Sequence, residues 1–226
     1  MAGTAETAEL AAEGLACRRG ERLIFSGLSL TLPAGAALLL TGVNGSGKSS
    51  LLRLLATLLA PAAGRILWGG ASVENDLAAY RARLSYVGHL DAIKPALSVR
   101  ETLAFWVAMR GSATPSLGPA LSAFGLTALA DWPCRWLSAG QRRRLALARL
   151  VAAPASLWLL DEPAAALDAG GEAALMAAIA AHRSTGGCAI IATHQAMALP
   201  GARELRLADF ASAANVEADD LLAAGF

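Results

Sequence analysis

The spacing of hydrophobic and polar positions predicts short strands that alternate with helices. Continuous apolar runs at 36–41, 157–161 and 188–193 are typical of strands buried on both faces of a parallel sheet. Leucines recur at helical spacing across 48–60, and Pro61 predicts the end of that helix. Strands that alternate with helices in this way indicate an α/β fold with a mostly parallel core sheet.

Weaker patterns predict the remaining elements and the organisation of the chain. Further strands are predicted at 15–19, 28–32, 65–68 and 84–87, and further helices at 98–110, 117–129, 140–151 and 171–182. The first two of these strands flank a turn around Gly20, which predicts an antiparallel subdomain ahead of the core sheet. We therefore expect one domain at 15–210 between tails at 1–14 and 211–226. Within it, about 90–136 is expected to form a helical subdomain.

The composition narrows the class of protein. The formal net charge is only +1, which argues against a nucleic-acid partner because the chain has no strong positive field. Cys17, Cys134 and Cys188 lie far apart, so we expect buried, unpaired thiols in a reducing compartment. No apolar run reaches about 18 residues, so a membrane-spanning helix is not predicted. The first 14 residues lack the basic and apolar regions of a secretory signal, which predicts that the protein stays inside the cell.

The high hydrophobic fraction, 55% of the chain, leaves two interpretations open. Much of it is alanine, which favours helix formation more than it makes a surface adhesive. The alternative is an exposed apolar face that docks on a membrane-embedded partner protein.

A glycine-rich segment between a predicted buried strand and a predicted helix carries the first candidate chemistry. It matches GxxxxGK[ST] and consists of Gly42, Val43, Asn44, Gly45, Ser46, Gly47, Lys48 and Ser49, with Ser50 next in the helix. Glycines allow successive backbone N–H groups to surround phosphate oxygens, and the helix N-terminus adds its positive end. We predict that these residues bind a nucleotide, with Lys48 at its β- and γ-phosphates and the Ser49 hydroxyl on Mg²⁺.

The apolar strand predicted at 157–161 ends in two adjacent acids, Asp161 and Glu162. Taken alone, such a pair could also be the N-cap signal of a helix. Beside a phosphate-binding loop the pair is better explained as hydrolytic machinery, because hydrolysis needs both a metal and a base. We predict that Asp161 holds the Mg²⁺ and that Glu162 activates the attacking water as general base.

A third motif, Leu137-Ser138-Ala139-Gly140-Gln141, precedes the acidic strand. It resembles the signature LSGGQ of the ABC ATPase family, with Ala139 at one glycine position. The segment 165–168 is similar to the D-loop of that family, and His194 stands at its switch position. The resemblance extends over nearly the whole chain. It implies a P-loop NTPase with the ABC ATPase fold, with ATP and Mg²⁺ as ligands.

The resemblance also implies that two subunits share each site. ABC ATPases form head-to-tail homodimers in which the signature motif of one subunit faces the γ-phosphate bound by the other. The signature residues expected to act in trans are Ser138, Ala139, Gly140 and Gln141. Within one subunit the family pattern makes His194 the γ-phosphate contact, and His89 stands where the family usually has a catalytic-site glutamine. Arg19 occupies the place of an aromatic residue that stacks on adenine, where a guanidinium plane can also stack.

Within the family, His89, Ala139 and the run 192–195 resemble the branch that powers haem export for bacterial cytochrome c maturation. That resemblance implies an ATP hydrolase at the cytoplasmic face of the inner membrane. It would lie there peripherally and drive integral membrane permease subunits. Two alternatives remain open, which are the ATPase of another ABC transporter and an ABC ATPase that acts on ribosomes or DNA. A P-loop small-molecule kinase would leave the signature motif unexplained.

Three further features receive predictions of their own. The arginine run at 142–144 is expected to form a solvated helix face with local ion pairs. His182 is expected near a helix C-terminus, where the helix dipole favours its positive charge. The segment 89–100 mixes apolar residues with charges and Pro95, so it does not predict a regular buried element. We expect this segment to contact the membrane partner.

Overall fold

The computed structural model describes residues 9–111, 117–195 and 197–211 of the chain. The strands in this part of the chain are β1 (Leu10–Arg19), β2 (Arg22–Leu32), β3 (Ala37–Thr41), β4 (Ala63–Trp68), β5 (Ala71–Ser72), β6 (Leu84–Val87), β7 (Leu157–Asp161), β8 (Cys188–Ala192) and β9 (Arg203–Arg206). The α-helices are α1 (Lys48–Leu55), α2 (Leu77–Arg83), α3 (Val99–Met109), α4 (Leu117–Ala123), α5 (Ala139–Ala152) and α6 (Ala169–Ser184). Short 3₁₀ turns cover Val73–Asp76, Thr127–Leu129, Cys134–Trp136 and Leu207–Phe210.

Two sheets organise the fold. The five-stranded sheet has the order β6-β7-β8-β3-β9, and all of its neighbouring strands are parallel. The four-stranded sheet has the order β2-β1-β4-β5, and its strands are antiparallel. The α/β fold with a parallel core sheet and an antiparallel part is therefore confirmed. Parallel strands bring their carboxyl ends to one edge, which is where ligands bind in open α/β sheets.

Alternation along the central strands divides the hydrophobic core into two layers. Leu157 and Leu159 of β7 pack in the layer that contains α1 and the antiparallel sheet. Trp158 and Leu160, which point to the other face, pack in the layer that contains α3 to α6. Strand β8 is divided in the same way, and both strands are buried along their whole length. This double burial explains why their sequences are continuous apolar runs.

Helix α1 ends before the position that the leucine spacing predicts, at residue 55 instead of 60. The N–H of Thr57 donates to the carbonyl of Leu54 at 2.9 Å, and that of Leu58 donates to the carbonyl of Arg53 at 2.8 Å. These two bonds form a Schellman motif, in which Thr57 takes a positive φ of 55°. Arg81 secures the turn by donating to the hydroxyl and the carbonyl oxygen of Thr57. A tertiary contact therefore stops a helix that the local apolar pattern would continue.

Strand β1 begins at Leu10, inside the stretch 1–14 that was expected to be an N-terminal tail, so that boundary is wrong. Leu10 pairs with Leu32 of β2 and with Trp68 of β4. The register of β1 shifts after Ala12. This irregularity interrupts the two-residue alternation by which strands are recognised in a sequence.

Among the described strands and α-helices, the two-residue strand β5, helix α2 and strand β9 have no counterpart in the sequence prediction. Strand β9 lies at the edge of the parallel sheet and is mostly exposed, so it carries no apolar run. Helix α2 has only seven residues and buries only Tyr80.

Between 90 and 136 the described residues form α3, α4 and two 3₁₀ turns, and their division into a subdomain stays a prediction. Apart from Ala211, the expected C-terminal tail lies outside the described residues.

The surface of the described residues leaves the question of apolar docking open. Helices in this part of the chain are all too short or too polar to cross a membrane. Cys17, Cys134 and Cys188 are buried and unpaired, as predicted. Large apolar side chains nevertheless remain exposed at Val43, Leu58, Leu77, Leu90, Phe105, Met109, Trp132 and Trp136.

Candidate functional site

The loop at 42–47 joins the carboxyl end of β3 to the first turn of α1. Gly42 and Gly47 have φ values of 140° and 102°, which residues with side chains rarely adopt. A Cβ atom on Gly47 would lie 2.6 Å from Cγ2 of Ile24, and one on Gly42 would lie 2.9 Å from Oγ of Ser46. The loop therefore requires glycine at both positions. Because the N-terminus of α1 has no side-chain cap, its N–H groups are available to an anion.

The side chain of Lys48 lies within the curve of this loop and is only 6% exposed. Its Nζ donates to the carbonyl oxygen of Gly42 at 2.7 Å and to that of Val43 at 3.0 Å. An ammonium group has three donors, so these two bonds leave one donor and the positive charge for a bound anion. The loop thus both buries and orients the lysine.

Ser49 and Asp161 meet at the edge of the parallel sheet, although 112 residues separate them in the sequence. The Ser49 hydroxyl, at the start of α1, donates to Oδ1 of Asp161 at 2.9 Å. Asp161 is the last residue of β7 and is 2% exposed. Hydroxyl and carboxylate oxygens are the protein ligands that Mg²⁺ prefers, so the donor set fits that ion.

A second close pair joins Glu162 to His194. Nδ1 of His194 lies 2.9 Å from Oε2 of Glu162, and the glutamate side chain is 18% exposed. Glu162 adopts a left-handed conformation with φ of 48°, and its N–H donates to the carbonyl of Ala192 at 2.9 Å. The two residues follow the neighbouring parallel strands β7 and β8, which explains why they meet at the carboxyl edge of the sheet.

Most of these residues lie around one cleft of about 480 Å³, although Ser46 and Asp161 are not among its lining residues. The predicted site residues that line it are Asn44, Gly45, Gly47, Lys48, Ser49, Ser50, His89, Glu162 and His194. Arg19 also lines the cleft. Two further lining residues, Ile24 and Arg53, were not indicated by any sequence motif. Helical spacing could have indicated Arg53, because it follows Ser49 by four residues and lies on the same face of α1. Gly42 and Val43 line a neighbouring pocket instead.

The signature residues lie at the N-terminus of α5 and do not line the cleft of their own chain. Ser138 caps the helix: its hydroxyl accepts from the N–H of Gln141 at 3.2 Å, and its own N–H donates to Oε1 of Gln141 at 2.8 Å. Ser138 and Ala139 are exposed. A Cβ on Gly140 would lie 2.9 Å from the carbonyl oxygen of Ala166, so glycine permits a close approach to the 165–168 segment. The N-terminus of α5 is thus an accessible surface away from the cleft.

The arginine run at 142–144 is not a uniformly solvated face, so that prediction is wrong for Arg143. Arg144 does form the expected local ion pair, with Asp168. Arg143, in contrast, is 3% exposed and bonds backbone carbonyls beside the cleft. Helical spacing could have indicated this burial, because Arg143, Leu147 and Leu150 lie on one face of α5.

His182 lies in the last turn of α6, as predicted, but its environment does not favour a positive charge. Its ring stacks on Trp158 with a centroid distance of 3.9 Å and an interplanar angle of 4°. Nε2 lies 3.1 Å from the carbonyl oxygen of Cys188. Burial lowers the pKa of His182, and the contact with the Cys188 carbonyl opposes this only in part. His182 is therefore a buried residue that packs against Trp158, and the helix dipole does not determine its charge.

The fold and the cleft together define a protein class. A glycine loop that curves around a lysine, a hydroxyl–carboxylate pair and a Glu–His pair all lie at the carboxyl edge of one parallel sheet. Such an edge, with a helix N-terminus facing an anion-binding loop, is typical of P-loop nucleoside triphosphatases.

Comparison with known proteins narrows this class to a family. The profile of the ABC transporter family matches residues 25–165. A cytochrome c biogenesis ATP-binding export protein CcmA from Rhodospirillum rubrum is 58% identical over 201 residues, which are 89% of this chain and 86% of that protein. A CcmA from Paramagnetospirillum magneticum is 51% identical over 206 residues, 89% of this chain and 95% of that protein. The chain therefore belongs to the ABC transporter family, within its CcmA group of ATP-binding export proteins.

Solved structures agree with the fold. An ABC transporter ATP-binding protein from Pyrococcus furiosus has a TM-score of 0.80 at 20% identity, with 90% of this chain and 100% of that chain covered. The cbiO1 protein of Clostridium perfringens, part of the ABC transporter complex cbiONQ, has a TM-score of 0.69 at 27% identity. That match covers 82% of this chain and 78% of the other. The ABC ATPase fold expected from the signature motif is thus confirmed.

Proposed function

We propose that this chain binds and hydrolyses ATP to power haem export across the bacterial inner membrane for cytochrome c biogenesis. The observation that carries the proposal is the Glu162–His194 pair in one cleft with Lys48 and Ser49. This arrangement offers a base beside a phosphate-binding loop, which is what ATP hydrolysis requires. The similarity to CcmA proteins, which are named for export in cytochrome c biogenesis, supports the export role, whereas haem as the cargo rests on the family resemblance of His89, Ala139 and the run 192–195.

The phosphate-binding part of the proposal rests on the loop at 42–47 and the start of α1. Backbone N–H groups of the loop and the positive end of α1 surround the phosphates of ATP. Lys48 contributes its remaining donor and its charge to the β- and γ-phosphates. Its two bonds to loop carbonyls keep the ammonium group in place before ATP arrives, so little order is lost on binding.

Magnesium is proposed to be held by Ser49 and Asp161. Their oxygens lie 2.9 Å apart at the edge of the cleft, and Asp161 is already buried. Among the described residues there is no group of three or more His, Cys, Asp and Glu side chains that could hold a metal by itself. Phosphate oxygens and water would therefore complete the ligand set, as is usual for Mg²⁺. The ion would supply positive charge beside the transferring phosphoryl group.

Glu162 is proposed to be the general base that takes the proton of the attacking water. Its carboxylate is mostly enclosed, and Nδ1 of His194 fixes the orientation of one carboxylate oxygen. His194 is proposed to contact the γ-phosphate as well, which would connect the base to the presence of ATP. His89 lines the same cleft, and its imidazole can accept a hydrogen bond as a glutamine carbonyl does.

Adenine is proposed to stack on an arginine at one end of the cleft, where other family members use an aromatic ring. Arg19 is the last residue of β1 and lines the cleft together with Ile24. A guanidinium plane stacks on an aromatic base by dispersion and cation–π attraction. Adenine would therefore be held against Arg19 without a specific ring-on-ring stack.

A head-to-tail homodimer is proposed to complete each site. The cleft of one chain does not include its own Ser138, Ala139, Gly140 or Gln141. These residues instead form an accessible helix N-terminus on a helix of 14 residues. The Ser138 hydroxyl already accepts from the N–H of Gln141, so the positive end of the helix and the N–H groups of Ala139 and Gly140 would meet the γ-phosphate held by a second copy.

The membrane-facing part of the proposal concerns the loop at 88–98. It joins β6, beside the cleft, to α3, and has no regular secondary structure. Leu90 is 82% exposed, whereas Ile93 packs partly against the core. We propose that this loop contacts integral permease subunits and that the chain lies peripherally at the cytoplasmic face of the membrane. With a net charge of +1, a nucleic-acid partner is not part of the proposal.

Leu90→Glu is expected to detach the chain from membranes that contain the permease subunits. Burying a leucine stabilises a complex by about 1.5–3 kcal/mol, and burying an unpaired carboxylate opposes it, so retention should fall at least about tenfold. The measurement is co-sedimentation with membranes that contain those subunits. ATP affinity should not change, because Leu90 does not line the cleft.

The matched control is Leu58→Glu, because Leu58 is also exposed, at 64%, but lies after α1 and outside the loop. Substitutions at the half-buried Ile93 would be harder to interpret, since they could unfold the loop. Equal co-sedimentation of the Leu90 and Leu58 variants would contradict docking through the loop at 88–98.

The function itself is testable in the bacterium. A strain whose only gene copy carries Glu162→Gln should contain at least about tenfold less c-type cytochrome, because export would lack its hydrolytic step. The measurement is haem staining of periplasmic proteins, with membrane b-type cytochromes as the internal control. Parental amounts of c-type cytochrome in that strain, with hydrolysis lost in the purified Glu162→Gln protein, would assign the ATPase to another cargo.

A further inference from the structure

Arg143 of α5 is a buried side chain that the proposed chemistry does not use. It is 3% exposed, and its guanidinium makes five hydrogen bonds. Three of them reach consecutive carbonyls: Nε donates to Pro163 at 3.1 Å, and one terminal nitrogen donates to Asp161 at 2.9 Å and Glu162 at 2.7 Å. One planar group therefore holds the whole backbone turn from which the Glu162 side chain extends.

This turn has an unusual conformation that needs such support. Glu162 has a positive φ of 48°, which a residue with a side chain adopts only when its surroundings impose it. In an extended strand successive carbonyls point in opposite directions, so carbonyls 161 and 162 can face one nitrogen only because the chain turns here. The N–H of Glu162, bonded to Ala192, fixes the other side of the residue. Arg143 and Ala192 thus fix the backbone from which the Glu162 side chain extends.

The other terminal nitrogen of Arg143 reaches the loop at 88–98. It donates to the carbonyl of Gly88 at 2.9 Å and to Oδ1 of Asp91 at 3.1 Å. These residues flank His89, which lines the cleft. The Asp91 carboxylate, 25% exposed, is also the counter-ion of a guanidinium that is otherwise surrounded by carbonyl dipoles.

We infer that Arg143 is a positioning residue that holds Glu162 and the backbone beside His89 in their relative places for hydrolysis. The inference rests on the proposed function, since it assigns Glu162 as the base. Arg143 does not line the cleft, so it acts through these two segments and not on ATP. A guanidinium is suited to this role because its rigid fork presents five N–H donors in one plane, whereas a lysine ammonium has three donors around a point.

The test compares Arg143→Met and Arg143→Lys with Arg110→Met in the purified full chain. Arg110 is a matched control, because it also donates to two carbonyls, those of Ala82 and Leu84, each at 2.8 Å. Those carbonyls lie at the opposite end of β6 from the cleft. The measurements are ATP affinity by calorimetry, kcat and KM for hydrolysis, and the thermal midpoint of each variant.

Both Arg143 variants are expected to lower kcat by about 10- to 100-fold, because a small misplacement of a catalytic group has effects of that size. ATP affinity should stay within about threefold, since the loop at 42–47 and Lys48 are untouched. Arg110→Met should also lower the thermal midpoint, though by less, since Arg110 is partly buried and makes two such bonds, while kcat changes by less than about threefold. If Arg143→Met does not fold, the result for Arg143→Lys tests the positioning role. That variant keeps the positive charge and the ion pair with Asp91, but a lysine has too few donors for all five acceptors.

A parental kcat in Arg143→Lys, or an equal loss of kcat in the Arg110 control, overturns the inference. Glu162→Gln is measured alongside to separate this inference from the proposed function. If Glu162→Gln also hydrolyses ATP at the parental rate, the assignment of the base is wrong. If Glu162→Gln is inactive while Arg143→Lys is fully active, only the positioning role is wrong.

Discussion

Glu162→Gln is expected to reduce ATP hydrolysis at least about a hundredfold while ATP still binds, because a general base contributes on that order. The amide keeps the shape of the side chain and a contact with His194, but its neutral oxygen cannot take a proton from water. The backbone at φ 48° should be retained, since the hydrogen bond that Glu162 donates to Ala192 and the one that it accepts from Arg143 involve only its main-chain atoms. In the presence of ATP the variant should then accumulate as a stable dimer, which size-exclusion chromatography detects.

The control for this variant is Glu172→Gln, which makes the same chemical change at an exposed position in the first turn of α6. It should hydrolyse ATP like the parent. Turnover of the Glu162 variant within about threefold of the parent would contradict the assignment of the base. Loss of hydrolysis without any ATP-dependent dimer would leave the base assigned and contradict the head-to-tail homodimer.

Lys48→Ala is expected to weaken ATP binding itself, by at least about a hundredfold. A hydrogen bond to a charged group is worth about 1.5–3 kcal/mol, and the ammonium charge also attracts both phosphates, so the loss should reach about 3 kcal/mol. The variant also leaves the carbonyls of Gly42 and Val43 without the donor that orders the loop. Calorimetric titration with ATP in the presence of Mg²⁺ measures the effect.

The other lysine of the chain, Lys94, provides the matched control. It lies in the loop at 88–98 and outside the cleft, over the ring of Phe105 at 5.5 Å. Lys94→Ala removes the same charge and should bind ATP with the parental affinity. If the two variants bind ATP equally well, the phosphate-binding role of Lys48 is excluded.

The elements whose signals are local can be predicted from the amino-acid sequence alone. Strands predicted at 84–87 and 157–161 coincide with β6 and β7, because β7 carries an apolar run and β6 is mostly apolar. The helix that follows Ser98 begins as expected, where a capping box joins Ser98 to Glu101. The glycine loop and the signature motif were also evident, because each places its chemistry within a few consecutive residues.

Which distant residues meet depends on how the strands and helices pack together. The contact between Ser49 and Asp161, and that between Glu162 and His194, depend on the order of parallel strands in the sheet, which no local spacing encodes. Helical periodicity could place Arg143 on a buried face of α5, but not opposite the carbonyls of the Glu162 turn. A buried polar group forms hydrogen bonds with the polar atoms that lie within about 3 Å of it in the packed fold. Those partners come from segments remote in sequence, so their identity becomes known only once the layers of the fold are assembled.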